Sequence, residues 1–218
     1  MNLELYGIEK RSADEGIPLV HLLNKDILMP IVQQYATSLG TESLAIAGSL
    51  FIKRYAVLVA ASSLDYFGLQ KETKDWWSTA RFEPKTFTLL MEKDVQKAWV
   101  EDWKERLFAE HLTPLVELVA KECKVPQNIL WENIAVRLQA VLRKQEKVYS
   151  TFVLEQQFTE LTCVEAHWLG RTGNPLRKYL QKGQQWSQIP IRKTCCRYYQ
   201  VKKEDENPYC GNCPLKKD

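Results

Sequence analysis

The sequence predicts a mainly α-helical protein with a small extended or β segment near residues 78–91 and a cysteine-rich tail. Two observations support this prediction. Over most of the chain the apolar residues recur every third or fourth position, the spacing that places them on one face of an α-helix. After Gly183 this periodicity ends, and four of the six cysteines follow in the last 24 residues. We therefore divide the chain into a helical body, residues 1–183, and a tail, residues 184–218.

The helical body consists of a series of amphipathic segments. Pro30 near its first turn and Gly40 after its last turn delimit the first helix, and Thr41 is the predicted cap of the second. The segment 78–91 interrupts the helical periodicity and predicts a short strand pair or an extended connection. The predicted helices cover residues 26–39, 41–67, 94–111, 114–123, 127–147, 151–167 and 176–180.

Size and composition indicate a protein with one main core that is located in a reducing compartment. With 218 residues, 45% of them apolar, the chain can bury a sizeable core. The most apolar stretch, residues 44–61, is interrupted by Lys53 and Arg54, which disfavours a membrane span. No secretion signal is predicted at the amino-terminal end, so the cysteines are expected to stay reduced in the cytoplasm. Cys123 and Cys163 stand alone in helical patterns and are expected to be ordinary half-buried residues.

The tail carries the most specific motif of the chain. Cys195-Cys196 is followed by thirteen residues and then by Cys210-Gly-Asn-Cys213. This segment is too polar for core packing to explain four thiols. A disulfide within the vicinal pair closes a strained ring, whereas Cys-x-x-Cys presents two sulfurs on one side of a turn. The pattern therefore favours a metal ion or an iron-sulfur cluster over disulfides.

The spacing leaves open which metal the tail holds. Structural zinc sites usually draw their ligands from two Cys-x2-4-Cys knuckles, and only one half of this motif is a knuckle. Vicinal cysteines point to opposite faces of an extended segment, so both can be ligands only if the chain bends between them. Four cysteines match the ligand count of a two-iron or four-iron cluster. A Rieske centre is not predicted, because His21, His111 and His167 all lie outside the tail.

Two segments of the tail, Thr-Cys195-Cys196-Arg-Tyr and Tyr-Cys210-Gly-Asn-Cys213-Pro, resemble the carboxy-terminal signature of the FhuF-type siderophore-iron reductases. This resemblance implies that the four cysteines hold a 2Fe-2S cluster, which makes residues 184–218 a cluster-binding tail. The thirteen-residue spacer is longer than is usual for the family. Because loop-closure entropy grows only with the logarithm of loop length, we expect ligation to survive the longer spacer.

The resemblance also implies an activity. It predicts a cytosolic ferric-siderophore reductase, an oxidoreductase of iron uptake acting on Fe(III) complexes of the hydroxamate or citrate type. Hard oxygen donors hold Fe(III) strongly and Fe(II) much more weakly, so one-electron transfer releases the metal. The chain has no Gly-x-Gly-x-x-Gly or Walker motif for a nucleotide cofactor. Electrons are therefore expected from a donor protein such as ferredoxin or flavodoxin, with transient association at the inner face of the membrane near a siderophore importer.

Cationic residues are the candidate contacts for an anionic complex or an acidic donor. Residues 176–218 contain ten Lys and Arg against four Asp and Glu, or +6, whereas residues 1–175 contain twenty against twenty-three, or −3. Lys53 and Arg54 are adjacent cations in an apolar helix. Such cations reach solvent, pair with a carboxylate such as Asp65, or line an anion pocket. The candidate substrate-binding residues are Lys53, Arg54, Arg171, Arg192 and Arg197.

Two other functions fit the same residues. One is a binding protein whose four cysteines hold a structural zinc ion, and the other is a cluster-based redox or iron sensor acting on a partner protein. Most of the seven tryptophans sit among helix-periodic apolar neighbours, which favours core packing over base stacking. No nucleic-acid partner is therefore predicted for the leading function.

Overall fold

Helices form most of the structure, and a small sheet and the cysteine tail complete it. The structure, a computed structural model, describes residues 2–10, 15–64, 76–92, 103–180, 186–202 and 205–216. This arrangement confirms the predicted mainly α class. The α-helices in this part of the chain are α1 (Lys25–Ser38), α2 (Leu44–Ser63), α3 (Trp103–Leu107), α4 (Thr113–Cys123), α5 (Gln127–Arg143) and α6 (Thr151–Thr162).

Helix α2 is the centre of the body. Its residues are buried on nearly every face, and it packs mainly on α5, with α1 and α4 on its other sides. Among the described helices, α2 passes the length and composition test for a membrane span, but most of it is buried inside the protein. Burial by neighbouring helices accounts for its apolar composition. The cap is Ser43, whose side chain accepts a hydrogen bond from the Ile46 N–H, and not Thr41 as predicted.

Several helices end earlier than predicted. Helix α5 ends at Arg143 and α6 at Thr162, several residues before the predicted ends at 147 and 167. Ala166–Leu169 and Leu176–Lys178 form 3-10 turns. A 3-10 turn also brings residues three apart onto one face, so apolar spacing does not separate it from the end of an α-helix.

The predicted helix 94–111 lies partly outside the described residues. Residues 94–102 are not described, and neither are residues 65–67 at the predicted end of α2. The remainder of the predicted helix is α3, which continues into a π-helical turn, Phe108–Leu112. Helix α4 follows directly, with Pro114 in its first turn, where its missing N–H leaves no hydrogen bond unmade.

A four-stranded sheet covers one side of α2. Its strands are β1 (Ile8–Lys10), β2 (Ile17–Pro18), β3 (Arg81–Glu83) and β4 (Thr88–Met91), in the order β1-β4-β3-β2. The hairpin of β3 and β4 confirms the strand pair predicted at 78–91, with Phe82 opposite Leu89. Strand β1 pairs parallel with β4, and β2 pairs antiparallel with β3. Strands as short as β1 and β2 give no readable alternation, so the sequence did not predict them.

Trp76 and Trp131 lie in the core, as predicted, and Trp77 and Trp103 are partly buried against it. Trp76 and Trp131 are completely or almost completely buried, and Trp186 is buried where the tail begins. Trp99 lies outside the described residues. Tyr55 and His111 form a buried pair, with Tyr55 Oη 2.7 Å from His111 Nε2, and burial lowers the pKa of His111 to about 3. His111 is therefore a neutral core residue and does not reach the cysteine tail.

Gly48 allows the close approach of α2 to α4. A β-carbon at this position would lie 2.8 Å from Cys123 Cβ and 3.0 Å from Val119 Cγ1. Because Cys123 Cβ is fixed to the backbone, Gly48→Ala requires α4 to move away from α2. We expect the free energy of unfolding, measured by urea denaturation, to fall by about 1–3 kcal/mol, even though alanine favours the helix by about 1 kcal/mol.

Gly173→Ala is the matched control for this variant. A β-carbon at Gly173 meets no atom within 4 Å, so its unfolding free energy should change by less than about 0.5 kcal/mol. Equal unfolding free energies for the two variants would contradict the observed packing of α2 on α4.

Candidate functional site

The cysteine tail is attached to the body through polar side chains on α2 and α5. Ser49 Oγ donates a hydrogen bond to the carbonyl of Cys196 over 3.0 Å. Asn133 Nδ2 in turn donates to the Ser49 carbonyl over 2.8 Å and contacts Ser49 Oγ at 3.2 Å. All three residues are buried. Buried polar groups need partners, so this chain of hydrogen bonds fixes the vicinal cysteine pair on the helices.

Glu132 of α5 is the strongest attachment. Its carboxylate accepts hydrogen bonds from the backbone N–H of Lys193 at 2.5 Å and of Thr194 at 2.8 Å, and also from the Thr194 hydroxyl. Arg192 Nη2 lies 3.6 Å from Glu132 Oε2, with both side chains almost fully buried. Bonds to a charged acceptor are roughly twice as strong as neutral ones. Glu132 thus holds the three residues that immediately precede Cys195.

The backbone bends sharply just after the vicinal pair. Arg197 has a φ of 66°, in the left-handed region, and a 3-10 turn, Tyr198–Gln200, follows it. The Arg197 N–H donates to Cys195 Sγ over 3.3 Å. This turn supplies the bend that the sequence analysis required if both vicinal cysteines are to serve as ligands.

The four sulfurs of the tail form two close pairs. Cys196 Sγ lies 3.6 Å from Cys210 Sγ, and Cys195 lies near enough to Cys213 that, after burial, Cys213 contributes to raising the pKa of the Cys195 thiol. Each pair therefore joins one vicinal cysteine to one cysteine of the Cys-x-x-Cys turn. Cys196 and Cys213 are buried, whereas Cys195 and Cys210 are half-buried. Each pair thus has one sulfur in the interior and one near solvent.

Lys53 of α2 directly contacts the pair formed by Cys196 and Cys210. Its Nζ donates to Cys196 Sγ over 3.1 Å, and the residue is only 7% exposed. The hydrogen bond with Cys210, followed by the Lys53 ammonium, lowers the pKa of Cys196, while the same thiol-thiol hydrogen bond raises the pKa of Cys210. The thiolate is the form that ligates metals, so Lys53 favours a ligand at this position.

The four cysteines of the tail are the residues of this site that could hold a metal ion or a cluster. Among the residues that the structure describes, no group of three or more His, Cys, Asp or Glu side chains is arranged to hold one metal ion. A structural zinc site needs four ligands around one point. A two-iron cluster instead takes two thiolates on each iron, and the tail offers two pairs.

A cavity of about 690 Å³ lies beside the cysteines. Cys210 and Gly211 form part of its wall, so the site of the sulfurs and the cavity share a boundary. Lys53 and Arg54, two of the residues predicted to bind substrate, both line it. Its volume lies within the usual range for small-molecule sites.

The other three predicted substrate contacts do not line this cavity. Arg171 pairs with Glu117 over 3.0 Å. Arg192 is the buried partner of Glu132, and Arg197 contributes its backbone N–H to Cys195 Sγ. The structure therefore gives the side chains of Arg171 and Arg192 local partners, while contact of all three arginines with substrate stays a prediction.

Sequence reasoning missed the residues that attach the tail, and it also missed two cations of the cavity, Arg137 and Lys144. Ser49 stands four residues before Lys53 on the same face of an otherwise apolar helix. Glu132 and Asn133 interrupt the buried stripe of α5, which also carries the cavity residue Arg137. A polar residue within a buried stripe was the available signal of such an attachment, but the sequence does not show which residue it contacts.

The role of Glu132 can be tested by replacing its charge. In Glu132→Gln the amide keeps one acceptor oxygen and places a donor against backbone N–H groups, and Arg192 is left as an unpaired buried charge. We expect the free energy of unfolding to fall by about 3–5 kcal/mol, and amide hydrogen exchange at Lys193 and Thr194 to accelerate.

Glu117→Gln is the matched control, because it removes the same charge from an exposed pair with Arg171. It should lower the free energy of unfolding by less than about 1 kcal/mol. Unchanged exchange at Lys193 and Thr194 in Glu132→Gln would contradict the anchoring role.

Comparison with protein families provides an independent result. Residues 85–186 match the family described as ferric iron reductase FhuF-like transporter. The matched range contains Glu132, Asn133 and Arg137, and it ends before Cys195. None of the curated proteins matches the chain significantly. The match and the resemblance in the tail thus rest on different parts of the sequence, and both indicate similarity to the FhuF-like ferric iron reductase family.

Proposed function

We propose that the protein is a cytosolic reductase of ferric siderophore complexes that uses a 2Fe-2S cluster held by Cys195, Cys196, Cys210 and Cys213. The observation that carries this proposal is the position of Cys210, which belongs to the cysteine site and also forms part of the cavity wall. A complex bound in that cavity lies next to the ligand set. The similarity of residues 85–186 to the FhuF-like family supports the reductase role.

The reaction requires little acid-base chemistry from the protein. The cluster, when bound, supplies single electrons. Fe(III) in the complex gains one electron, the donor protein loses one, and the resulting Fe(II) is held weakly by the hard oxygen donors. The chain must therefore bind the ferric complex beside the cysteines, hold the tail in place and keep the sulfurs partly shielded from water. The cavity, Glu132 and the buried Cys196 are suited to these tasks.

We assign these tasks to the two predicted parts of the chain. The body, residues 1–183, supplies most of the cavity, and the tail, residues 184–218, supplies the sulfurs. The basic residues of the tail suit an acidic electron donor such as ferredoxin or flavodoxin, which is the partner we propose. Ile189 and Ile191, respectively 64% and 76% exposed, offer an apolar contact near Arg192 for that donor. Transient contact with the membrane near a siderophore importer completes the proposal.

The first test is the colour and reactivity of protein purified without oxygen. The proposal expects a red-brown sample whose visible absorption is bleached by dithionite, and which is reoxidised by a ferric siderophore with release of Fe(II) to a chelator. A colourless protein containing zinc would overturn the proposal. Reoxidation no faster than that of a generic ferredoxin would leave a cluster-based sensor as the better function.

The ligand assignment is tested by serine variants. Cys195→Ser, Cys196→Ser, Cys210→Ser and Cys213→Ser should each abolish the native visible and electron paramagnetic resonance spectra, because each removes one of four ligands. Cys123→Ser and Cys163→Ser are the controls and should keep both spectra, since neither residue lies in the tail. A normal spectrum in Cys196→Ser would refute the assignment of the vicinal pair.

Lys53 provides a test that does not depend on turnover. A hydrogen bond from a cation to a ligand sulfur favours the reduced, more negative state, so Lys53→Met should lower the reduction potential. We expect a shift on the order of 60 mV, about tenfold in a one-electron equilibrium, measured by a redox titration followed by electron paramagnetic resonance.

Lys144→Met is the matched control, because its ammonium lies over the Tyr6 ring, at 5.3 Å from the ring centre, and no contact with a tail sulfur is found in the described structure. Equal potentials in Lys53→Met and Lys144→Met would contradict the role of Lys53.

A further inference from the structure

The cavity beside the cysteines has an unbalanced charge. Four cationic side chains line it, from Lys53, Arg54, Arg137 and Lys144. None of the described residues that form its wall is Asp or Glu. Clefts lined by charges of one sign within low-dielectric walls concentrate ions of the opposite sign. The field inside this cavity therefore favours an anion.

Arg137 is the cation with the fewest partners. It projects from α5 beside the tail, and its buried Nε makes no hydrogen bond within the described structure. Its positive charge is also not matched by a carboxylate in an ion pair among the described residues. An unpaired buried donor and an uncompensated charge are both costly, so an anionic ligand in the cavity would compensate the positive charge of Arg137.

Arg54 is held in place by aromatic residues. Its guanidinium lies over the Phe87 ring, 4.3 Å from the ring centre, and forms a hydrogen bond with Tyr35. Both aromatic residues also line the cavity. Stacking on an aromatic ring restricts the guanidinium while leaving its charge unneutralised. Arg54 is thus preorganised by Phe87 and Tyr35, forms no ion pair with a carboxylate among the described residues, and remains available to a ligand.

Electron transfer itself increases the demand for positive charge. When Fe(III) in a bound complex gains one electron, the complex becomes more negative by one unit. Positive charges in the cavity wall stabilise that product relative to the starting complex. A cationic cavity therefore assists binding and reduction of an anionic complex, and it opposes binding of a complex that already carries a free ammonium group.

From these observations we infer that the cavity selects ferric complexes with net negative charge, such as those of citrate-type or catecholate ligands, over cationic complexes, with Arg137, Arg54 and Lys144 as the selecting residues. This inference rests on the proposed function. It replaces the hydroxamate or citrate types of the sequence analysis with a class of substrate defined by net negative charge.

Gallium complexes separate binding from reduction. Ga(III) has the charge of Fe(III) and forms the same complexes, but it accepts no electron under these conditions. Isothermal titration of the full-length, metal-loaded protein should show that Ga(III)-citrate and an anionic Ga(III)-tricatecholate bind at least about tenfold more tightly than the Ga(III) complex of a linear trihydroxamate bearing a free ammonium group. This ratio should shrink as salt is added, since salt screens the cavity charges.

Variants that remove one positive charge each identify the residues responsible for the preference for anionic complexes. Arg137→Gln should weaken binding of the anionic gallium complexes about tenfold, because it removes a partly desolvated charged donor. Arg54→Gln and Lys144→Gln should weaken it a few-fold, and they test the inference even if Arg137→Gln fails to fold. Lys121→Gln removes the same charge from an exposed position of α4, away from the cavity, and should leave the affinity unchanged.

The inference is overturned if the cationic gallium complex binds as tightly as the anionic ones, or if the cavity variants bind like Lys121→Gln. Failure of the proposed function looks different: gallium complexes would bind with the expected preference, while the corresponding ferric complexes would not reoxidise the reduced protein. Fast reoxidation without any charge preference would refute this inference and leave the reductase function intact.

Discussion

The buried carboxylate of Glu132 is the constraint on which the cysteine site depends. A tail with little apolar surface cannot hold its own position, so its geometry must come from the body. Glu132 supplies it by accepting hydrogen bonds from Lys193 and Thr194 and by pairing with Arg192. Desolvating such a pair is expensive, and the pair stabilises the fold only while every partner is present. Misplaced arrangements of the tail leave buried charges unpaired, which favours the single observed arrangement.

Lys53 links this attachment to the cavity. One ammonium group both donates to Cys196 Sγ and forms part of the cavity wall, and Cys210 is likewise shared. The neighbouring apolar cluster, which includes Ile46, Leu50 and Cys196, lowers the local dielectric. Charges therefore act more strongly here than they would in water. Side chains of α2 thus position the sulfurs and, together with Arg137 and Lys144, set the charge that a ligand meets.

Much of this architecture could be predicted from local patterns, and the failures have physical causes. Helix α2 and the hairpin of β3 and β4 were predicted because apolar spacing and turn residues act over short distances. Strand β1 was missed because its parallel partner, β4, lies about eighty residues further along the chain. Glu132 was missed for a related reason: a glutamate in a helix is usually solvated, and only its contact with Thr194 makes it an anchor.

The sequence by itself determined the helical class, the grouping of Cys195, Cys196, Cys210 and Cys213, and the resemblance to a reductase family, because composition, periodicity and residue spacing are properties of short segments. The tertiary structure alone decided which sulfurs lie together, that Lys53 contacts Cys196, and that Arg137 joins Arg54 in one cavity. These contacts join residues far apart in the chain. Their geometry follows from how α2, α5 and the tail pack, which no local pattern encodes.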